Sequence, residues 1–262
     1  MPYAASVDAT ARSGRAGERP LLFISDLHLN AAQPHTVAAF ERFITETAAR
    51  ATAVYILGDL FDAWVGDDML KLPFAARIAA TLRTLDARGI GLFVMRGNRD
   101  FLLNRRFAEA AAATLLDDPT IVQAFGRRVV LTHGDLLCTN DVGYQRFRRL
   151  AHWTPAQRLF LSLPFAWRLG FAGRLRAARR SSYSTADAEL DRYDATPAAV
   201  ARLFSSSASD LMIHGHTHRP FRHQENDGIR WVLSDWALDE PQPHAAYLSL
   251  GTDGIHSHAV ID

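Results

Sequence analysis

The stretch Met212-Ile213-His214-Gly215-His216-Thr217-His218-Arg219-Pro220 places three histidines within five positions, directly after a short apolar run. In an extended chain alternate side chains share a face, so His216 and His218 can point the same way. Imidazoles gathered at the end of a buried strand indicate a metal centre. We therefore ask whether complementary ligands follow other apolar runs of the chain.

Four further apolar runs end in polar residues that can bind metal ions. These residues are Asp26 with His28, Asp59, Asn98 and His133, which follow the runs at residues 21–24, 54–57, 92–95 and 128–132. One such residue alone would be interpreted as a turn or a structural histidine. Because ligands in α/β sheets collect at the carboxyl ends of strands, five clusters in this position predict a metal site.

The segments between these runs have helical spacing, at residues 34–48, 73–88 and 101–113. Strands that alternate with helices are typical of a layered α/β domain. Residues 141–204 also read as helices, and closing strands at 230–234, 245–250 and 255–260 predict a second sheet rich in hairpins.

The predicted ligand set contains two carboxylates, one amide oxygen and four imidazoles. Seven ligands are too many for one tetrahedral ion but suit two ions that share a bridge. A mixture of oxygen and imidazole ligands favours Mn, Fe, Co or Zn over Ca or Mg. Two such ions a few ångströms apart can promote an in-line displacement at phosphorus.

Composition limits the class of protein. The composition, 48% hydrophobic and 22% charged, is typical of a soluble globular protein, and 262 residues suffice for one large domain with an insertion or for two small domains. It has no apolar run of the roughly 18 to 20 residues that a membrane span needs. Residues 1–20 are polar and lack a signal-peptide core, so we expect a disordered lead-in to a cytoplasmic protein. Cys138 is the only cysteine, which excludes an internal disulfide and favours a buried structural thiol over a nucleophile.

The positive charge of the chain is concentrated in one segment. Residues 146–180 contain nine arginines and no acidic residue, although the net charge of the whole chain is only +1. Aromatic and aliphatic residues alternate with these arginines, a pattern typical of helices at an anionic membrane surface. Core packing and a solvated basic face are the alternatives for these residues. A nucleic-acid interface is a further alternative, but no known base-reading motif accompanies these arginines.

The ordered blocks resemble those of the calcineurin-like metallophosphoesterases. The blocks are Asp26-x-His28, Gly58-Asp59-Leu60-Phe61-Asp62, Gly97-Asn98, His133-Gly134-Asp135 and Gly215-His216-x-His218. The resemblance implies a four-layer α/β/β/α core over residues 21–262, with an inserted helical cap at about residues 140–205. It also implies that Asp26, His28 and His218 bind one metal ion. By the same resemblance Asn98, His133 and His216 bind the other ion, and Asp59 bridges the two.

Longer blocks at residues 58–68, 97–102, 133–139 and 214–220 are similar to the branch of this family that acts in lipid A biosynthesis. That resemblance implies hydrolysis of the pyrophosphate bond of UDP-2,3-diacylglucosamine by attack of metal-activated water on the α-phosphorus. The expected products are UMP and 2,3-diacylglucosamine 1-phosphate. It also implies two Mn²⁺ ions per chain and a peripheral position on the cytoplasmic side of the inner membrane. We expect a monomer without a nucleic-acid partner.

Two alternatives to this function stay open from the sequence. The first is a metallophosphoesterase that acts on another nucleotide-sugar or dinucleotide pyrophosphate. The second is a degenerate scaffold that has kept the fold as a protein-binding module. Since all seven ligand positions are filled, the sequence favours an enzyme.

Arg99 occupies a position where many members of the family carry a histidine that protonates an alkoxide leaving group. An arginine cannot act as an acid at neutral pH, but it can bind phosphate oxygens bidentately. A phosphate leaving group has a second pKa of about 6 and can depart unprotonated. Asn98 and Arg99 are therefore the predicted catalytic residues, and with His216 they are expected to contact the substrate. Alternatively, Arg99 only pairs with Asp100 or another acid.

Two further substrate contacts are implied by the resemblance. Asp141 matches an aspartate that contacts substrate, although an acid at a helix N-terminus is also favourable for the helix dipole alone. Ser181 is the candidate for a serine of the family's insertion, whereas the family's lysine has no counterpart. The candidate replacements for that lysine are Arg176, Arg179 and Arg180. We expect a structural role for His214.

Overall fold

The computed structural model of the chain describes residues 6–8, 19–182 and 194–260. Two six-stranded sheets pack face to face, and helices cover their outer faces. The predicted four-layer α/β/β/α order is confirmed. Among the described helices, none is long and apolar enough to span a bilayer.

The described strands, in chain order, are β1 (Ser6–Asp8), β2 (Leu21–Ile24), β3 (Ala53–Leu57), β4 (Gly91–Met95), β5 (Thr114–Leu116), β6 (Thr120–Ala124), β7 (Arg127–Thr132), β8 (Leu211–His214), β9 (Phe221–Glu225), β10 (Gly228–Val232), β11 (Ala246–Gly251) and β12 (Gly254–Ala259). The first sheet has the order β12-β11-β2-β3-β4-β5, and the second has the order β1-β6-β7-β8-β10-β9. Strands β2 to β5 are mutually parallel, as are β7, β8 and β10.

The described helices are α1 (Pro34–Arg42), α2 (Pro73–Arg83), α3 (Arg105–Ala111), α4 (Val142–Ala151), α5 (Thr154–Leu161), α6 (Phe165–Ser182) and α7 (Pro197–Ser207). Proline occupies the first position of α1, α2 and α7, where its missing N–H costs no hydrogen bond. Side chains alternate across each strand, so Phe23 and Tyr55 face the second sheet while Leu22 and Val54 face the helices. Burial on both faces explains why these strands are continuous apolar runs.

The structure differs from the sequence-based expectation at both ends of the chain. Residues 6–8 were expected in a disordered lead-in, but they form β1, which pairs with the edge strand β6 through backbone groups. The closing strands do not make a sheet of their own, because β10 joins the second sheet while β11 and β12 extend the first. Both the strand at residues 6–8 and the placement of the closing strands depend on backbone pairing between distant segments, which cannot be predicted from composition.

The helical insertion ends earlier than the predicted boundary near residue 205. Helix α7 belongs to the core, because Val200, Leu203 and Phe204 pack against Val130 and Met212 of the second sheet. The described helices of the cap are therefore α4, α5 and α6, within residues 142–182. Helix α3 is also shorter than predicted, since Asn104 caps its N-terminus by accepting a hydrogen bond from the Arg105 N–H.

Candidate metal centre

The seven predicted ligands lie in one cluster where the two sheets meet. Each follows the carboxyl end of a parallel strand: β2, β3 and β4 in the first sheet, and β7 and β8 in the second. Because β7 and β8 pack against the first sheet, His133, His216 and His218 come to face the carboxylates Asp26 and Asp59. The structure thus brings together residues that are up to 192 positions apart in the chain.

The cluster divides into two groups with Asp59 between them. In the first group Asp26 Oδ1 lies 4.0 Å from His28 Nε2 and 3.4 Å from His218 Nε2. Asp59 Oδ2 lies 3.2 Å from His28 Nε2, whereas Asp59 Oδ1 lies 3.9 Å from His133 Nε2. The two oxygens of Asp59 therefore face opposite groups, an arrangement that allows this carboxylate to bridge two ions.

The second group joins an amide oxygen to two imidazoles. Asn98 Oδ1 lies 3.0 Å from His133 Nε2 and 2.8 Å from His216 Nδ1. His133 Nδ1–H donates to the carbonyl oxygen of Leu57 at 2.9 Å, so a neutral His133 has its lone pair on Nε2. His133 Nε2 and His216 Nδ1 converge on the same amide oxygen, so neutral rings can present their lone pairs, together with Asn98 Oδ1, to one cation. These residues therefore fit a metal ion.

Asp26 supplies a second sign of the same kind. Its Oδ2 accepts hydrogen bonds from the Ser25 hydroxyl at 2.5 Å and from the His216 N–H at 2.8 Å. Its Oδ1 is buried and accepts no hydrogen bond of good geometry, and its neighbours are the ring nitrogens of His218 and His28 at 3.4 and 4.0 Å. A buried carboxylate oxygen that faces two imidazole nitrogens is suited to share a cation with them.

Five candidate ligands have a left-handed backbone, which residues other than glycine rarely adopt. The φ angles are 53° at Asp26, 49° at His28, 52° at Asp59, 69° at His216 and 53° at His218. Only three other non-glycine residues of the described part have a positive φ. Backbone strain of this kind clusters at functional sites, where the surrounding contacts enforce it.

Two glycines allow the ligand-bearing turns to approach each other. A Cβ on Gly97 would lie 2.1 Å from Asp59 Oδ1 and 2.3 Å from the Asp59 nitrogen. A Cβ on Gly215 would lie 2.0 Å from the Ser25 hydroxyl and 2.2 Å from Asp26 Oδ2. Glycine is thus required at both positions for close approach to a ligand carboxylate.

The Gly97→Ala variant is expected to lose metal and stability together. The new methyl group displaces the Asp59 carboxylate, and overpacking of this kind costs about 1–3 kcal/mol. Metal analysis and thermal denaturation measure the two effects. Gly170→Ala in α6 is the matched control, because nothing lies within 4 Å of a Cβ there. Metal content equal to that of the control would contradict the prediction.

The two buried carboxylates are ionised at neutral pH. Burial alone would raise the pKa of Asp59, but the neighbouring His133 and His28 outweigh it and lower that pKa to about 2. Burial is also outweighed at Asp26, chiefly by His218, so the pKa of Asp26 lies well below its usual value. Ionised carboxylates are the form that binds a cation.

Binding of a divalent cation at pH 7 is expected to release about one proton from His133. Burial by itself would lower the pKa of this imidazole, but the carboxylates of Asp59, Asp26 and Asp135 raise it to about 9. The metal-free ring therefore carries a proton until the pH rises through 9, and that proton must leave before Nε2 can bind a cation. Titration calorimetry with Mn²⁺ in buffers of different ionisation enthalpy measures the release. Equal heats in the two buffers would argue against it.

Arg99 lies beside the carboxylate that separates the two groups. Its Nε is 3.6 Å from Asp59 Oδ2, and its backbone N–H donates to Asp59 Oδ1 at 2.8 Å. Its Nη1 donates to Asp62 Oδ1 at 2.8 Å. The acid that Arg99 contacts besides Asp59 is therefore Asp62 and not Asp100, which accepts backbone N–H groups instead. The side chain is 37% exposed, so it also faces solvent.

The predicted substrate contacts in the cap have different outcomes. Asp141 is the N-cap of α4, and its Oδ1 accepts a hydrogen bond from the Tyr144 N–H at 2.9 Å. The structural explanation for Asp141 therefore holds, and a substrate contact stays a prediction. Ser181 lies in the last turn of α6, and its side chain, like those of the three candidate arginines near it, lies outside the described residues.

His214 and Cys138 have the structural roles that were predicted from the sequence. His214 is buried, its Nδ1–H donates to the Gly215 carbonyl oxygen, and its Nε2 accepts from Arg230. Burial lowers the pKa of His214 to about 3, so the ring is neutral. Cys138 is buried as well, and burial raises the pKa of its thiol to about 12. Such a thiol is not a nucleophile at neutral pH.

Sequence reasoning missed three carboxylates around the site. Asp100 accepts hydrogen bonds from the N–H groups of Gly97, Leu60 and Phe61. Its carboxylate thus joins the turn after β4 to the turn after β3. Asp235 Oδ2 lies 3.4 Å from His218 Nδ1, where it can orient that ring. Asp235 follows the apolar run of β10, so its strand-end position could have identified it.

Asp135 is the third missed carboxylate. It lies two positions after His133 and accepts hydrogen bonds from the Tyr144 hydroxyl and from Arg148 Nε. Both donors belong to α4, so this carboxylate joins the cap to the turn that carries His133. Its block was recognised in the sequence, but no local signal indicated a partner in the cap.

The arrangement of the site agrees with the relationships of the chain. Residues 19–220 match the family model of the calcineurin-like phosphoesterases. The chain is 48% identical over 243 residues to a UDP-2,3-diacylglucosamine hydrolase of Ralstonia nicotianae, with 90% of each chain covered. The corresponding hydrolase of Aeromonas hydrophila is 45% identical, with 92% of this chain and 99% of the relative covered. That of Neisseria meningitidis serogroup B is 41% identical, with 90% and 96% covered. On these matches the chain belongs to the calcineurin-like phosphoesterase family and, within it, to the UDP-2,3-diacylglucosamine hydrolases.

Proposed function

We propose that this protein hydrolyses the pyrophosphate bond of UDP-2,3-diacylglucosamine to UMP and 2,3-diacylglucosamine 1-phosphate, a step of lipid A biosynthesis. The observation that carries the proposal is the guanidinium of Arg99, whose Nε lies 3.6 Å from the central carboxylate of Asp59. The names of the relatives, each a hydrolase of this substrate, support the choice of substrate.

Arg99 suits a leaving group that carries its own phosphate. Its guanidinium can bind phosphate oxygens in pairs and stabilise the charge that develops on them. It has no proton to donate at neutral pH, but a phosphate monoester with a second pKa of about 6 leaves without one. Asp62 holds the guanidinium in place through Nη1, so the charge is positioned before substrate arrives.

We propose two Mn²⁺ ions as the cofactors of this site. The mixed oxygen and imidazole ligands suit Mn, Fe, Co or Zn, and the choice of Mn²⁺ rests on the resemblance to the branch of the family that acts in lipid A biosynthesis. When bound, two such ions would polarise the phosphoryl oxygens and make water more acidic. Asn98, Arg99 and His216 would also contact the phosphate groups. The proposed ligands are Asp26, His28, His218 and Asp59 for one ion and Asn98, His133, His216 and Asp59 for the other.

The surface of the cap supports a lipid substrate and a peripheral position at the cytoplasmic face of the inner membrane. Among the described residues, the large apolar side chains more than half exposed on α4 to α6 or in the turn between α4 and α5 are Val142, Leu150, Trp153, Leu159, Trp167 and Phe171. Arg146, Arg149 and Arg158 are exposed on the same helices. Exposed apolar residues flanked by arginine suit the boundary between acyl chains and anionic headgroups.

The double variant Leu159→Ser/Phe171→Ser is expected to bind anionic phospholipid vesicles at least about tenfold more weakly. Burial of one large apolar side chain contributes about 1.5–3 kcal/mol, and 1.4 kcal/mol is a factor of ten. Co-sedimentation with phosphatidylglycerol-containing vesicles measures the change. Phe221→Ser is the control, because Phe221 is 64% exposed but lies in β9, outside the cap. An equal loss in both proteins would count against a membrane-facing cap.

The proposed function is tested by UMP release. The purified protein is incubated with UDP-2,3-diacylglucosamine after metal removal and again with Mn²⁺ restored, and we expect UMP only in the second sample. UDP-N-acetylglucosamine serves as the soluble comparison substrate. Release of UMP from the soluble compound alone would favour the alternative of another nucleotide-sugar pyrophosphate. No hydrolysis of either compound by folded, metal-loaded protein would leave the scaffold alternative.

A further inference from the structure

Arg168 is a buried arginine within the segment that was expected to face a membrane. It lies in α6 and is only 4% exposed. Its guanidinium forms a paired contact with the Asp68 carboxylate, with Nη1 at 3.1 Å from Oδ1 and Nη2 bonded to Oδ2. Nη1 also donates to the carbonyl oxygen of Val65 at 2.5 Å, and Nε donates to that of Leu163 at 3.0 Å. The side chain thus bonds to residues 65 and 68 of the core.

The side chain of Arg168 packs closely against residues 64–68. A Cβ on Gly66 would lie 2.5 Å from Arg168 Nη1 and 2.8 Å from Leu161 Cδ2. Gly66 also has a φ of 130°, which L side chains rarely adopt. Both the close approach of the cap and the backbone conformation therefore require glycine here. These residues belong to the block at 58–68, which is similar to the corresponding block of the family. No step of the proposed hydrolysis uses residues 64–68.

On the side away from Arg168, residues 64–68 contact the turn that carries Asn98 and Arg99. The Trp64 N–H donates to the Arg99 carbonyl oxygen at 3.1 Å, and Trp64 is buried against Phe61. Asp67 accepts hydrogen bonds from Trp64 Nε1 and from three backbone N–H groups at the start of α3. A segment fixed in this way at the core cannot move independently of Arg99. The contacts run continuously from Arg168 through residues 64–68 to the Arg99 backbone.

A second arginine, whose side chain is 19% exposed, joins the other end of the cap to the core. Arg148 of α4 donates from Nε to Asp135 Oδ2 at 2.8 Å and from Nη2 to Asp118 Oδ2 at 3.0 Å. Asp135 lies in the turn that carries His133, so this contact is inseparable from the metal ligands. The partners of Arg168 are not ligands, and they allow the position of the cap to be tested by itself.

We infer that Arg168 is a positioning residue, which holds the cap in register with the Asn98-Arg99 turn through residues 64–68. The inference rests on the proposed function in one respect, because the acylated sugar must span the cap and the metal centre at once. The position of the cap relative to the Asn98-Arg99 turn should therefore affect turnover of this substrate but not metal binding. A buried side chain with paired hydrogen bonds is suited to this role because its geometry is fixed.

The test compares Arg168→Met, Arg168→Lys and Asp68→Asn with the Mn²⁺-loaded wild-type protein. We expect kcat/KM for UDP-2,3-diacylglucosamine to fall by about 10²-fold in Arg168→Met, since misplacement by about 1 Å can cost that much. Arg168→Lys should recover part of the loss because it keeps the charge. Metal content should stay at the wild-type value in all three variants. Arg105→Met is the control, since Arg105 is exposed and pairs only within α3.

Hydrogen exchange of the cap gives a readout that needs no activity. Amides of α5 and α6 should exchange at least about tenfold faster in Arg168→Met, whereas those of α1 and α2 should keep their wild-type rates. Unchanged cap exchange together with kcat/KM within twofold of wild type would overturn the inference. A wild-type protein that does not cleave the substrate refutes the proposed function instead, and hydrogen exchange still decides the role of Arg168. Should Arg168→Met not fold, Arg168→Lys and Asp68→Asn provide the same comparison.

Discussion

The Asp59→Ala variant is expected to lose at least about 10³-fold in kcat/KM for UDP-2,3-diacylglucosamine. Asp59 is the one carboxylate whose two oxygens face opposite ligand groups, 3.2 Å from His28 Nε2 and 3.9 Å from His133 Nε2. Metal ions contribute several kcal/mol to stabilisation of a phosphoryl transition state. Loss of about 4 kcal/mol corresponds to that factor in rate.

The same substitution has a consequence for the metal-free protein. Asp59 contributes to the raised pKa of His133, so its removal should lower that pKa and reduce the proton release on metal binding. Steady-state kinetics and metal analysis at several Mn²⁺ concentrations measure both effects. Asp253→Ala is the control, because its side chain is 78% exposed in the turn between β11 and β12. An Asp59→Ala protein that keeps two metal ions and turns over within tenfold of wild type would disprove the bridging role.

Arg99→Ala is expected to lower kcat/KM by about 10²-fold and to leave metal content unchanged. Removal of a single donor that stabilises developing charge typically costs about 10²–10³-fold. The metal centre should persist, because the contact from Arg99 to Asp59 Oδ1 is made by the backbone N–H, which alanine keeps. Only the guanidinium, with its contacts to Asp59 Oδ2 and Asp62, is lost.

A charge-conserving variant separates two contributions of Arg99. Arg99→Lys keeps a positive charge but cannot bind two phosphate oxygens in parallel, so we expect activity between those of wild type and Arg99→Ala. Arg105→Ala controls for loss of an arginine from an exposed ion pair. Metal loss from Arg99→Ala would mean that the residue supports the ligands and does not act on the substrate.

Much of the fold was predictable because its signals are local. A strand buried on both faces must be a continuous apolar run, and the runs at β2, β3, β4, β7 and β8 were found on that basis. The short strands β5 and β6 were not predicted. Residues 114–116 and 120–124 are three and five residues long, and their pairing with β4 and β7 decides their conformation.

The cap shows where local patterns are insufficient. The arginines at positions 148 and 168 resemble their exposed neighbours in sequence, and all were interpreted together as part of a membrane surface or of a solvated basic face. In the structure Arg168 pairs with Asp68 and Arg148 pairs with Asp118, across 100 and 30 positions of the chain. The low exposure of these two side chains depends on partners that only the folded chain brings near.

The sequence by itself determined the fold class, the family and the identity of the seven candidate ligands. Each of these depends on residue type and on spacing from the end of a strand, and both are local properties. The division of these ligands around Asp59 was implied by the family resemblance, whereas the tertiary structure alone decided which acid holds Arg99 and where the cap attaches. These features depend on distances between side chains from different strands and helices. Packing of the two sheets and the cap sets those distances, so no pattern along the chain can report them.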